Sequence, residues 1–258
     1  MRIVSRSRAM IYPLVLIPFL MLVLLPLSIT LAASNAAAAS EAFRHIEGMV
    51  EHMPASIQQD LEARDGEAER LILLANVYFL APFYLLVPLL VAAVVAADTF
   101  AGEKERRTLE ALLYTPLSDR ELLTGKLLAA WIPSVSVSIA GFLLYGLILN
   151  AAAWPVMGEI FFPTSMWLLL VFWVGPAVAG LGLGAMVLVS SRVGTLQEAS
   201  QLGGAVVLPI LMLIIGQITG VIYFSTPMVA VLGLVIWTVN AGLLAMAMRR
   251  FRREALLL

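Results

Sequence analysis

At 258 residues, with 61% hydrophobic and 13% charged side chains and a net charge of −1, the chain departs from soluble globular proteins, in which about 25% of residues are charged. That composition excludes a soluble domain and predicts an all-α, polytopic membrane protein. The lack of any cysteine excludes disulfides, thiol nucleophiles and thiolate metal sites.

Crossing the hydrocarbon core as a helix takes about 20 apolar residues. Six stretches qualify: about 9–33, 71–97, 127–150, 164–189, 201–222 and 228–247, none of them holding Asp, Glu, Lys, Arg or His. The first follows Arg2, Arg6 and Arg8 and carries Pro13, Pro18 and Pro26. The small residues after it resemble a signal-peptide cleavage region. The apolar run is longer than the 7–15 residues usual for such signals, so a retained anchor is expected. Residues 34–70 hold eight acids against three bases. Phe43, Ile46, Met49, Val50 and Met53 recur there at helical spacing, predicting an amphipathic helix with Ser40 as its N-cap and Pro54 as its end. A second short helix is expected around 57–61. The segment should lie on the outer membrane surface or pack on the external loops. His45 and His52, two turns apart, could join Glu41 in a metal trio, but ligands so sparse fit a solvated face better.

The second span, with Pro82 and Pro88, leads into residues 98–126, which hold eleven charges between two uncharged apolar runs. Glu103 to Tyr114 reads as a helix with an apolar stripe of Leu109, Leu112 and Leu113. Glu103 can pair with Arg107, and Arg106 with Glu110, at the i,i+4 spacing. Pro116 ends that helix and drives Thr115 out of helical conformation. Ser118-Asp-Arg-Glu121 is a capping box opening a second helix, which should run through Gly125-Lys126 into the third span. A short helix, a stiff turn and a helix continuous with the membrane could transmit a push from a partner; the same parts could also merely tether two spans.

The third span contains Pro133, Ser134, Ser136 and Ser138. Trp154, Phe161, Phe162 and Trp167, in and beside the following loop, are expected to form an interfacial aromatic belt. Gly180, Gly182 and Gly184 in the fourth span, and Gly216 and Gly220 in the fifth, are expected to allow close helix packing. They are no phosphate loop, since no strand precedes them. Of the polar groups Asn76, Ser136, Asn150, Gln201, Gln217 and Asn240, most should make helix–helix hydrogen bonds.

Thirteen of the sixteen Lys and Arg residues fall on one side of this topology, which places both termini and residues 98–126 in the cytoplasm. The arginines after the last span should anchor it at anionic membrane lipid. No P-loop is present, no span holds a buried carboxylate for ion coupling, and no span holds an acid, base or histidine for hydrolysis. No catalytic, cofactor-binding or metal-ligating residue is therefore expected on this chain, and no nucleic-acid partner.

The run from Glu103 to Lys126, EKERRTLEALLYTPLSDRELLTGK, resembles the cytoplasmic segment of type 2 ATP-binding-cassette (ABC-2) exporter permeases. The match covers Glu105, Arg106, Thr108, Leu109, Glu110, Leu112, Leu113, Thr115, Pro116, Ser118, Glu121, Gly125 and Lys126. It departs at Arg107, where that family usually has glycine. Ser191-Arg-Val-Gly-Thr-Leu-Gln-Glu-Ala-Ser-Gln201 is similar to the run entering the fifth span of sodium-export-type permeases, through Arg192, Gln197, Glu198 and Gln201. The resemblance implies six transmembrane helices in a single permease domain of the plasma membrane. It also implies a second permease copy or paralogue, and a separate cytoplasmic ABC ATPase that binds ATP and magnesium. Residues 98–126 would be the coupling segment, with Leu109, Leu112 and Leu113 as apolar contacts and Glu103, Arg106 and Glu110 as a polar rim. A non-transporting scaffold that docks a partner through the same hairpin is the alternative. The cargo stays open: the lack of buried charge fits an apolar, lipid-like molecule, and the sodium-export resemblance a cation.

Overall fold

The computed structural model describes residues 16, 18–105, 118–190, 193 and 195–250. Arg106, Leu109, Glu110, Leu112, Leu113, Thr115, Pro116 and Arg192, with the Arg107 expected to pair with Glu103, lie outside the described residues. Every described element is helical. In chain order they are α1 (Leu20–Ala33), α2 (Ala36–Val50), α3 (Ala55–Glu62), α4 (Glu67–Gly102), α5 (Asp119–Met157), α6 (Ser165–Ser190), α7 (Leu196–Gly203), α8 (Leu208–Ile218) and α9 (Thr226–Arg250). Four of these, α4, α5, α6 and α9, are each long and apolar enough to cross a membrane, as is the α7–α8 pair; α1 and α2, counted together as one bent span, bring the number to six.

α1 turns through 103° into α2. The cap of α2 is Asn35, not Ser40: the Asn35 side chain accepts the N–H groups of Ala37 at 3.1 Å and Ala38 at 3.4 Å. The alanines that follow are the strongest helix formers, so the helix starts at the first available cap. Ser40, inside the helix, donates instead to the Glu67 carboxylate. α2 closes at Val50, and the Gln58 amide donates to the carbonyls of Val50, Glu51 and Met53 at 2.9–3.1 Å. Pro54 then opens α3. Met53, Ile57 and Leu61 are buried in one core with Phe161, Phe162 and Trp167, so residues 36–66 form a cap packed on one end of the bundle. Arg64 ties this cap to Glu159 in the α5–α6 loop. His45 and His52 each bond through Nδ1 to the carbonyl four residues before, Glu41 at 2.7 Å and Gly48 at 2.8 Å.

The expected aromatic belt is a correction. Trp167 is fully buried, Phe162 is 1% exposed, Phe161 is buried, and only Trp154 faces outward. Asn150 turns the loop inward: its amide donates to the Phe162 carbonyl at 2.7 Å and accepts the Phe161 and Phe162 N–H groups at 3.2 Å. Phe162 then lies over Gly146, where a Cβ would sit 3.1 Å from the ring. Trp167 stacks on Tyr145 (centroids 5.0 Å apart) and meets Phe162 and Tyr84 edge-on, so the indole anchors the core instead of the membrane interface.

The same end contains a π-helical turn at Leu74–Phe79 in α4. Pro82 has no N–H to return to the Tyr78 carbonyl, so the α-helical ladder breaks there. Three helices supply donors. The Tyr145 hydroxyl donates to the Asn76 carbonyl (2.6 Å), the Trp167 indole to Val77 (2.7 Å) and the Gln217 amide to Tyr78 (2.7 Å). In lipid no water could satisfy those carbonyls, so these side chains are what allow an irregular turn at membrane depth. Asn76 also donates to Thr30 of α1 at 3.3 Å, and Asn240 of α9 to the Ala177 carbonyl of α6 at 2.7 Å. Ser136 bonds within its own helix, and Asn150 serves the loop.

At the opposite end the core is made of small residues: Ala92, Ala96, Ala97, Ala101, Ala130, Ala179 and Ala199, with Phe100, Leu123, Leu183 and Met186. α6 sits at its centre. Gly180 and Gly184 face Asn240 and Leu243 of α9, while Gly182 faces α4, where a Cβ would lie 3.0 Å from the Leu89 carbonyl. Gly216 and Gly220 act at a helix end. Gly220 has φ +75°, and the Gly216 carbonyl accepts the N–H groups of Val221 (2.8 Å) and Ile222 (2.9 Å), closing α8 with a left-handed C-terminal turn.

Candidate functional site

The site grows from the end of α4. Its last turn, Asp98–Gly102, is again π-helical, and Phe100, Ala101 and Gly102 are buried there. Glu103–Glu105 continue helically. Glu103 forms an ion pair with Lys126, whose side chain is 9% exposed against 27% for Glu103. The Lys126 ammonium also stands over the Phe100 ring, 5.6 Å from its centroid. A desolvated ammonium needs such partners, because an isolated buried charge is very costly. The pair joins residues 23 positions apart and so clamps the base of the charged segment.

The return leg begins with the capping box. The Ser118 N–H donates to the Glu121 carboxylate at 2.8 Å, and the Glu121 N–H to the Ser118 hydroxyl at 3.3 Å. From there α5 runs without interruption for 39 residues, through Gly125, Lys126 and Pro133.

Glu105 reaches across the fold. Its carboxylate accepts the N–H of Leu196 at 2.9 Å, a contact spanning 91 residues of sequence. Leu196 is the first residue of α7, and the Thr195 hydroxyl accepts the Glu198 N–H at 3.2 Å on the next turn. Two of the free N–H groups at this helix start thus have acceptors, and the negative charge of Glu105 lies against the positive end of the α7 dipole. Gln197, Glu198 and Gln201 lie on the exposed face of α7, with Ala199 and Gly203 buried on the other.

The structure therefore brings together the two stretches that carried the family resemblance: Glu103 and Glu105 of one meet Lys126 of α5 and the helix start of the other. Neither Lys126 as a partner of Glu103 nor Glu105 as a ligand of Leu196 was expected. Sequence spacing signals pairs on one helix, and these contacts close loops of 23 and 91 residues. Beside the clamp, a groove of about 280 Å³ opens between α5, α6 and α9, lined by Leu128, Trp131, Gly184, Trp237, Asn240 and Leu244 among others. Apart from Asn240 those groups are apolar or aromatic. Among the described residues, no three His, Cys, Asp or Glu side chains are grouped to hold a metal ion.

Comparison with known proteins agrees with this architecture. Residues 1–231 match the family model described as ABC-2 family transporter protein. A 108-residue stretch is 36% identical to the ABC transporter permease protein NatB of Bacillus subtilis (strain 168), covering 42% of this chain and 26% of that protein. The match thus spans about a quarter of that relative's length. No solved structure matches. With a family model covering most of its length and a bundle of apolar helices to match, the chain belongs to the ABC-2 transporter family and is a multi-pass plasma-membrane protein.

Proposed function

We propose that the chain is the permease subunit of an ATP-driven exporter, working with a second permease copy or paralogue and drawing energy from a separate cytoplasmic ABC ATPase. Residues 98–126 dock that ATPase. The excess of Lys and Arg at this end supports a cytoplasmic orientation. The observation that carries the reading is the double attachment of the segment's base, to α5 through Glu103–Lys126 and toward α7 through Glu105–Leu196. A mere tether needs neither. A partner pressing on residues 106–117 would act on two membrane-crossing elements at once. The groove between α5, α6 and α9 favours an apolar cargo over a bare cation, because its walls offer no charge to replace a hydration shell.

The decisive experiment is capture of a cassette ATPase by the membrane-embedded permease, followed by transport in proteoliposomes. Glu110→Lys combined with Leu113→Asp is expected to abolish capture. If ATPase binding and transport both survive that double change, residues 98–126 are not the dock.

A further inference from the structure

Where the fifth membrane crossing begins, it is jointed. α7 is eight residues long, Gly204–Val207 form a 3-10 turn, and α8 resumes at Leu208. Two sequence features produce the joint. Gly203-Gly204 has low helix propensity, and Pro209 cannot return an N–H to the Ala205 carbonyl. Behind the joint lies a cavity of about 110 Å³, lined by Leu90, Ala93, Met186, Ser200, Gly204 and Val207 among others. A short helix with a joint at one end and empty volume beside it has room to swing about that joint, with Ala199 and Gly203 as its packed face. Its other end is the one held by Glu105.

We propose that Glu105 is a positioning residue through which residues 98–126 move α7, with Gly204–Val207 as the hinge and the cavity as the room for the swing. The proposal rests on the reading of that segment as the ATPase dock. Motion delivered there reaches the fifth crossing by this bond and does not have to pass through α5. The contact is suited to the role: one charged acceptor on one backbone donor can shift as a unit, whereas a broad apolar interface would resist sliding.

The chain has no cysteine, so paired cysteines can carry spin labels without background. With labels at Gln201→Cys and Leu128→Cys, both exposed positions, Glu105→Ala is expected to broaden the distance distribution in the isolated permease. Glu105→Gln keeps an acceptor oxygen and is expected to restore it. With the captured ATPase, Glu105→Ala is expected to lower permease-stimulated hydrolysis about tenfold, the equivalent of one charge-assisted hydrogen bond, with capture unchanged. Gly204→Ala adds a Cβ that meets nothing within 4 Å and should keep the fold while stiffening the hinge. Its expected effect on stimulated hydrolysis is smaller, about threefold. An unchanged distance distribution in Glu105→Ala overturns the proposal, as does a loss of capture that parallels the loss of hydrolysis. Failure of the unmodified permease to capture any cassette ATPase would instead strike the docking reading, while the spin-label measurement would still decide whether Glu105 positions α7.

Discussion

The two ends of this bundle are built on opposite principles. At the capped end, large rings interlock: Trp167, Tyr145, Tyr84 and Phe162 are all at most 1% exposed, and three side-chain donors from three helices pin successive carbonyls of one π-turn. At the charged end, alanines and glycines let helices approach closely, and the polar contacts include two discrete links, Glu103–Lys126 and Glu105–Leu196. Interlocked rings have one arrangement, whereas discrete polar links can shift as units. The difference assigns holding together to one end and yielding to the other.

Three measurements would break or sharpen that contrast. The largest effect should come from Trp167→Ala, which removes the hub of the ring cluster and the donor to Val77. About 3–5 kcal/mol of stability should be lost, read as a lower unfolding midpoint in detergent. Next, Gly182→Ala places a Cβ 3.0 Å from the Leu89 carbonyl, a backbone atom that cannot rotate away. Separating α4 from α6 should cost about 1–3 kcal/mol; a neutral result would mean the charged end is looser than close packing implies. Smallest, Tyr145→Phe deletes one donor to the Asn76 carbonyl and keeps the ring. A loss near ~0.6 kcal/mol is expected by the same measurement, in line with hydrogen bonds between membrane helices. A loss approaching that of Trp167→Ala would show that the π-turn, and not ring packing, holds the capped end.

Much of this architecture was legible in advance. Apolar runs and the helix-opening box at Ser118–Glu121 are local signals, written in adjacent residues, and the structure follows them closely. Contacts between distant residues were not. The belt expected from Phe161, Phe162 and Trp167 became core because Asn150 folds the loop inward, a choice made by tertiary hydrogen bonding and not by residue type. Ser40 lost the capping role to Asn35 because a run of alanines needs no further encouragement to be helical. Gly216 and Gly220, four apart as packing glycines often are, instead close a helix, since Gly220 adopts φ +75°. In the site, charge pattern marked the segment as special, but the attachment of Glu105 to Leu196 involves a backbone N–H, which every residue but proline offers and no sequence pattern can single out.

The continuous third crossing has a mechanical consequence. At about 1.5 Å per residue its 39 residues make a rod about 58 Å long, nearly twice the ~30 Å hydrocarbon thickness. Ser138 lies at its midpoint, and the Tyr84 hydroxyl grips that residue twice, at the side-chain oxygen (2.6 Å) and the carbonyl (3.1 Å). Lys126 and Tyr145 hold the same rod on either side of that grip, to Glu103 and to the Asn76 carbonyl, so it is pinned along roughly 28 Å of its length.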